Sequence, residues 1–487
     1  MEKSLHKNSF TIILSIVLVL ITFLRFWRVP ELFVFGIDEE YQSNLAWTIY
    51  KDFHIIWVGV SLTLGKAGFD GFYLGPALTY INAFLFKLSH ADPVILGYAA
   101  SFLGVVTSAS IYYVVKKLYG KWAGLIALTW YGFSSFMIFF DRRFWNLTPL
   151  PFFSIWAYYS LVKAKEDSRW FMVTVALLAA SLHAHLILLI YTIPLIYLLI
   201  KQYRKITPMV WGGMLVSFLV ITSPLIMFEY FKKGQNIYLP YRLIKSFFEH
   251  TPEISDPTMV PSWKVLLNTA ASLFYAQPYS SFPIPLWVGV ISLLIVLGLV
   301  VRLYQQESSF KGRVLSFLYI FYLIILLIWP GKVHSHYLLA FFPLFAVALG
   351  AVLQRLKGSS VVTLLIIFSI LNTYSVLQSS TRYGLVANKT LVQNVVTYTG
   401  QSPFYLDYSR IESIWSGFRY LFKVYGKIPA GSSTDGMFGW LFPDELNTEK
   451  PVYDVVITDE NTPPRGTPLK KVEGVGYKAY IYPHGAQ

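Results

Sequence analysis

Apolar runs recur along the chain at roughly 10–27, 94–115, 122–140, 147–162, 170–200, 208–228, 284–301, 314–330, 337–353 and 360–378, separated by more polar stretches, most of them short. Runs of this length predict membrane-crossing helices. The run 170–200 contains no Asp, Glu, Lys or Arg and has a basic loop at each end. As one helix it would reach about 45 Å, against a bilayer core of about 30 Å. Two short spans with a turn near His183–His185 satisfy both facts, which gives eleven spans in all. The segment 75–90 is also apolar, yet counting it as a span inverts every later loop, so it is expected to lie in the interface as a re-entrant or juxtamembrane helix.

Five short loops carry the positive charge: Lys116/Lys117/Lys121, Lys163/Lys165/Arg169, Lys201/Arg204/Lys205, Arg302/Lys311/Arg313 and Arg355/Lys357. Placed on the cytoplasmic side with Lys3 and Lys7, they set the orientation. The loop 28–74, the loop 229–264 and the tail from about 385 then fall outside. The N-terminal run resembles a signal peptide but lacks a small-residue cleavage site, so it is expected to stay as the first helix, with Arg25, Trp27 and Arg28 as an interface anchor. The tail alternates strand-like stretches (403–409, 452–460, 477–484) with an amphipathic one (411–426), punctuated by Gly and Pro. The expected fold is therefore a polytopic α-helical membrane domain over 1–384 followed by a small extracytoplasmic α/β domain over 385–487.

Composition agrees. Of 487 residues, 55% are hydrophobic and only 14% charged, where a soluble domain carries about a quarter charged. Mean hydropathy is +0.52. The net charge of +14 resides mostly in the short loops, which fits a membrane topology and not nucleic-acid binding. There is no cysteine, so disulfides and thiolate metal sites are excluded.

Against this background, three consecutive acids, Asp38, Glu39 and Glu40, stand just after the first apolar run. Their simplest role is to cap a helix beginning near Tyr41. Two further stretches change that reading. "FFDRRFWNLTP" (139–149) puts Asp141, Arg142 and Arg143 at the outer end of another span, and "PGKVHSHYLLAFFP" (330–343) puts Lys332, His334 and His336 at the same face. Asp141 and Arg142 can pair locally, which would leave Arg143 available for an anion. A carboxylate at a membrane surface can take a proton from an acceptor hydroxyl or amine. Nearby cations can hold a phosphate leaving group. A lipid-linked phospho-sugar offers both a reactive sugar carbon and that leaving group at this depth.

These stretches resemble the polyprenyl-phosphate-sugar-dependent glycosyltransferases of the GT-C fold, in the branch of the protein O-mannosyltransferases and the aminoarabinose transferase. "DEEYQSNLAW" (38–47) is similar to the Asp-Glu motif of their first external loop, and "YLGPALTYINAFLF" (73–86) to the Pro-containing, aromatic-rich helix. "RRFWNLTPLPFF" (142–153) and "HYLLAFFPLFAVALG" (336–350) match the Arg…Trp-Asn and late His-Tyr…Pro stretches. The resemblance implies an inverting transfer of a sugar from a polyprenyl-phosphate donor to a protein, lipid or glycan acceptor outside the plasma membrane. Asp38 would be the base, Glu39 its support and Asp141 a second acid. Arg142, Arg143, Lys332, His334, His336 and Tyr337 would contact the donor. The Lys that some members place before the Pro is replaced here by Leu74 and Gly75, and Lys66 upstream is the candidate substitute. Some members use a divalent metal. A lone Asp-Glu step has no ligand spacing, so no metal site is assigned. The competing class, a transporter or lipid-linked-sugar flippase, would place ionisable residues near the bilayer midplane and show internal repeats, whereas here the charges gather at one surface.

Overall fold

The computed structural model describes residues 2–61, 72–238, 260–277, 284–307, 309–328, 332–333, 335–411, 417–446 and 449–485. Helices make up the larger part: α1 (Glu2–Phe26), α2 (Val29–Leu32), α3 (Ile37–Asp52), α4 (Ala77–Ser89), α5 (Val94–Tyr119), α6 (Lys121–Phe133), α7 (Ser135–Phe140), α8 (Leu150–Ala164), α9 (Trp170–Ser181), α10 (Thr192–Gln202) and α11 (Pro208–Phe231). They continue with α12 (Ser262–Ser272), α13 (Leu286–Gln306), α14 (Phe310–Ile328), α15 (Phe342–Leu353) and α16 (Gly358–Leu377). Among the described residues, six helical stretches are long and apolar enough to cross a bilayer: Ser9–Phe26, Val94–Tyr119, Leu186–Lys205, Pro208–Phe231, Leu286–Gln306 and Gly358–Leu377. The other apolar runs are also helical, but shorter or interrupted. The run 170–200 does break at its centre: α9 ends at Ser181, and a 3₁₀ turn over Leu186–Tyr191 leads into α10.

The segment 75–90 forms α4, whose 13 residues span about 20 Å, too little to cross. It packs mainly along α3. Ile81, Phe84 and Leu88 lie exposed on one face of it, as suits a helix lying on lipid.

One interruption positions the site. The run 122–140 breaks at Ser134, whose extended backbone (ψ 113°) separates α6 from α7. Within a bilayer, freed backbone groups must find partners inside the protein. Asn372 of α16 supplies one: its Oδ1 accepts from the Ser135 amide (3.0 Å) and hydroxyl (2.7 Å). Arg25 supplies another, its Nη1 donating to the carbonyl of Gly132 at 2.8 Å. Arg25 is thus fully buried, a correction to its expected place as an interface anchor; Arg28 is exposed.

The C-terminal part opens with α17 (Leu385–Thr399), which the sequence reading missed, and includes α18 (Phe418–Tyr425). Two two-residue strands, β1 (Val260–Pro261) and β2 (Lys332–Val333), pair within the membrane part. The remaining five are β3 (Phe404–Asp407), β4 (Gly431–Ser432), β5 (Tyr453–Asp459), β6 (Lys470–Glu473) and β7 (Tyr477–Pro483). Their order is β4-β3-β5-β7-β6, with β3 parallel to both neighbours and β7 antiparallel to β5 and β6. Phe404, Leu406, Val455, Ile457, Ala479 and Ile481 fill the interior against α17 and α18.

This domain sits directly on the first loop. The Leu385 amide donates to Phe33 O (2.8 Å) and the Gly417 amide to Phe35 O (3.2 Å). A Cβ on Gly417 would lie 2.5 Å from the Phe35 ring, so glycine permits this approach.

Candidate functional site

The three acids lie in the first turn of α3, which begins at Ile37 and not near Tyr41 as the sequence suggested. Negative charge is favoured there by the exposed amides of the helix start. The acids nonetheless have different surroundings. Asp38 is half-buried. Glu39 is fully buried: its Oε2 accepts from the Gly36 amide at 3.1 Å, closing the helix start. Its two oxygens also accept from Arg143, Nε at 2.8 Å and Nη2 at 3.0 Å. A two-pronged Arg–carboxylate bond of this kind fixes both partners in orientation. Glu40 is fully buried too, but faces the C-terminal domain.

The arginine loop after α7 differs from the local pairing expected of it. Asp141 bonds Arg25 of α1, with Nε and Nη2 both 2.9 Å from its Oδ2. It fits there because Gly104 of α5 has no side chain; a Cβ would come within 2.5 Å of the carboxylate. Arg142 donates through Nη2 to Leu24 O at 2.8 Å. Arg143 is the arginine that takes Glu39. Its guanidinium lies 3.9 Å above the Trp145 ring, a cation–π contact. On that same ring His336 stands edge-on, centroids 4.7 Å apart.

Glu39, Arg143, Trp145 and His336 therefore form one continuous contact chain, joining the first loop, the α7–α8 loop and the 3₁₀ turn Ser335–Phe341. The backbone of Lys332, four residues before His336, is paired in β2 with Pro261. Lys66 and His334 lie outside the described residues, as does the side chain of Tyr337. Among the described residues no group of three or more His, Asp or Glu is arranged to hold a metal ion.

His183, expected only as part of a turn, ties three elements at this end. Its Nδ1 accepts from the Ala77 amide of α4 at 3.3 Å, and its Nε2 lies 2.8 Å from Ile221 O of α11. Asn146, beside Trp145, donates to Ala184 O at 3.2 Å.

Sequence reasoning missed Arg25, Trp145 and Glu40. Two signals were available. A lone arginine in an apolar run is expensive in lipid and predicts a counter-ion. Arg419 and Lys423 sit four apart on the amphipathic stretch, hence on one face, and both are buried. Buried cations of this kind require acids from elsewhere in the fold.

The fold is that of a polytopic membrane protein of the GT-C class. In structure the chain is similar to ArnT from Cupriavidus metallidurans, both bound to undecaprenyl phosphate (TM-score 0.60, 10% identity, covering 96% of this chain and 97% of that one) and in the apo state (TM-score 0.62, 10% identity, 98% of each). It is also similar to the oligosaccharyltransferase of Archaeoglobus fulgidus in the apo form, with TM-score 0.52, 11% identity, 92% of this chain and 69% of that one. In sequence, residues 74–228 match the family described as dolichyl-phosphate-mannose-protein mannosyltransferase. Among curated proteins none matches.

Proposed function

We propose that the protein is a membrane glycosyltransferase that moves a sugar from a polyprenyl-phosphate donor to an acceptor at the outer face of the plasma membrane, with inversion. The observation that carries this reading is the contact chain from Glu39 through Arg143 and Trp145 to His336, beside the half-buried carboxylate of Asp38. It brings an acid, an arginine and a histidine together from three distant segments. The family matched over 74–228 and the fold shared with a protein bound to undecaprenyl phosphate both support a prenyl-phosphate donor.

Asp38 takes the proton of the acceptor group as its oxygen or nitrogen attacks the anomeric carbon. The bond to the carrier phosphate breaks on the opposite face, and the phosphate leaves on the lipid. Glu39 does not take this proton. Committed to Arg143 and to the Gly36 amide, it holds the helix start. Asp141, neutralised by Arg25, buttresses the arginine loop. His336 meets the phosphate in this reading, and Lys332, His334, Tyr337 and Lys66 remain further candidates by sequence. An apolar crevice lined by Leu266, Leu273, Leu293, Tyr319, Leu338 and Phe341 begins two residues beyond His336 and offers a wall for the prenyl tail.

Purified protein incubated with a panel of prenyl-phosphate sugars should consume one of them and release the prenyl phosphate. Consumption of none, alongside movement of intact lipid-linked sugar between leaflets of a vesicle, would instead indicate a flippase. His336→Ala is expected to raise the donor KM about tenfold while changing kcat by less, the loss of one charge-assisted contact made in ground and transition states alike. Steady-state kinetics over donor concentration checks this.

A further inference from the structure

Glu40 has no part in the reaction above, yet it is fully buried. Its Oε1 accepts from the Tyr420 amide at 2.9 Å and its Oε2 from the Tyr408 hydroxyl at 3.1 Å. Both donors belong to the C-terminal domain. The Tyr408 hydroxyl also lies 2.7 Å from Thr434 Oγ1. One turn along α3, Asn44 Oδ1 accepts from Lys423 Nζ at 3.3 Å. Lys423 is bonded to Glu445 at 2.9 Å, and Arg419 lies 3.5 Å from Asp435 and 3.9 Å from Glu445. The cluster thus opposes three acids (Glu40, Asp435, Glu445) to two bases (Arg419, Lys423).

Adjacent residues on a helix point about 100° apart. Glu39 is consequently bonded to the membrane part and Glu40 to the C-terminal domain, and the residue just before them is Asp38. We propose that the C-terminal domain is a clamp on the catalytic helix α3, with Glu40 the positioning residue through which it sets the place of Asp38. The proposal rests on the reading of Asp38 as the base. The neighbouring contacts are consistent with a clamp. The Tyr420 ring lies 5.6 Å from Phe35, 5.7 Å from Phe86 and 6.1 Å from Trp47, and its hydroxyl donates to Ala91 O at 3.1 Å. Two buried anchors on consecutive residues hold the first turn in register with both bodies. Misplacement of a reacting group by about 1 Å can cost on the order of a hundredfold in rate.

The clamp also senses pH. Burial pushes the Glu40 carboxyl from 4.5 up to about 7, against the opposing effects of Tyr420, Tyr408, Arg419 and Lys423. A docked state with the raised value binds a proton that an undocked, hydrated Glu40 does not. Docking is therefore strongest below about pH 4.5, weakens by up to tenfold per unit as pH rises, and is level above about pH 7.

The cysteine-free chain allows nitroxide labels at Asp52→Cys and Lys450→Cys, both exposed positions on α3 and the C-terminal domain. Pulsed electron resonance on the full-length protein should show one narrow distance that broadens as pH rises from 5 to 7. Glu40→Ala should broaden it at all pH values and lower kcat at least tenfold, with the donor KM within twofold, because the His336 side is untouched. Glu40→Gln is neutral, keeps an acceptor for Tyr420, and can donate to Tyr408. It should restore the narrow distance and most of kcat while abolishing the pH dependence. If Glu40→Ala does not fold, Tyr408→Phe removes one of the two bonds at constant volume and should show the same changes in smaller measure. Unchanged distances in these variants, or broadened distances with unchanged kcat, overturn the clamp. The distances do not depend on transfer: a wild type that consumes no prenyl-phosphate sugar but shows the Glu40 distance effects refutes the glycosyltransferase reading and leaves the coupling of domain to helix standing.

Discussion

Asp38→Asn is expected to lower sugar transfer by roughly 10²–10⁴-fold, the contribution of a positioned general base, with little change in stability or in binding of prenyl phosphate. Asp38 lies in the first turn of α3. Asp38 is half-buried there, while the residues after it are held by Arg143 on one side and by Tyr408 and Tyr420 on the other. Asn keeps the size of Asp and one acceptor oxygen but cannot take the acceptor's proton. Because the neighbouring anchors are untouched, the helix should keep its place. Single-turnover transfer with the donor the wild type consumes, together with prenyl-phosphate binding by calorimetry, separates chemistry from folding. Full transfer by Asp38→Asn would remove Asp38 from its role.

Asp141→Leu is expected to destabilise the protein by about 3–5 kcal/mol, since it strands the buried Arg25 without a counter-charge. The double variant Arg25→Met/Asp141→Leu should recover most of that loss, because both charges go together and the space is refilled by apolar atoms. Recovery stays incomplete, as the Gly132 carbonyl also loses its donor from Arg25. Thermal unfolding in detergent gives the stabilities. The pair of variants also decides what Asp141 does. If it is a buttress, transfer returns with stability in the double variant. If it touches the substrate, a well-folded double variant remains inactive.

Apolar run length and the scarcity of charge were enough to specify a helical membrane part, the break in the run 170–200 and an α/β tail from about 385. These are properties of composition and period, and solvent partition enforces them residue by residue. The same reading grouped Glu39, Arg143 and His336, and the contact chain through Trp145 joins them.

Partnership was decided only by the tertiary structure. Asp141 belongs to Arg25, Glu39 to Arg143 and Glu40 to the C-terminal domain, across separations of 116, 104 and 380 residues for Arg25–Asp141, Glu39–Arg143 and Glu40–Tyr420. Chain-local spacing had suggested Asp141 with Arg142. The physical reason is desolvation. A buried charge must find an opposite charge or a donor wherever packing brings one. A break such as that at Ser134 redirects the chain and so chooses which groups meet.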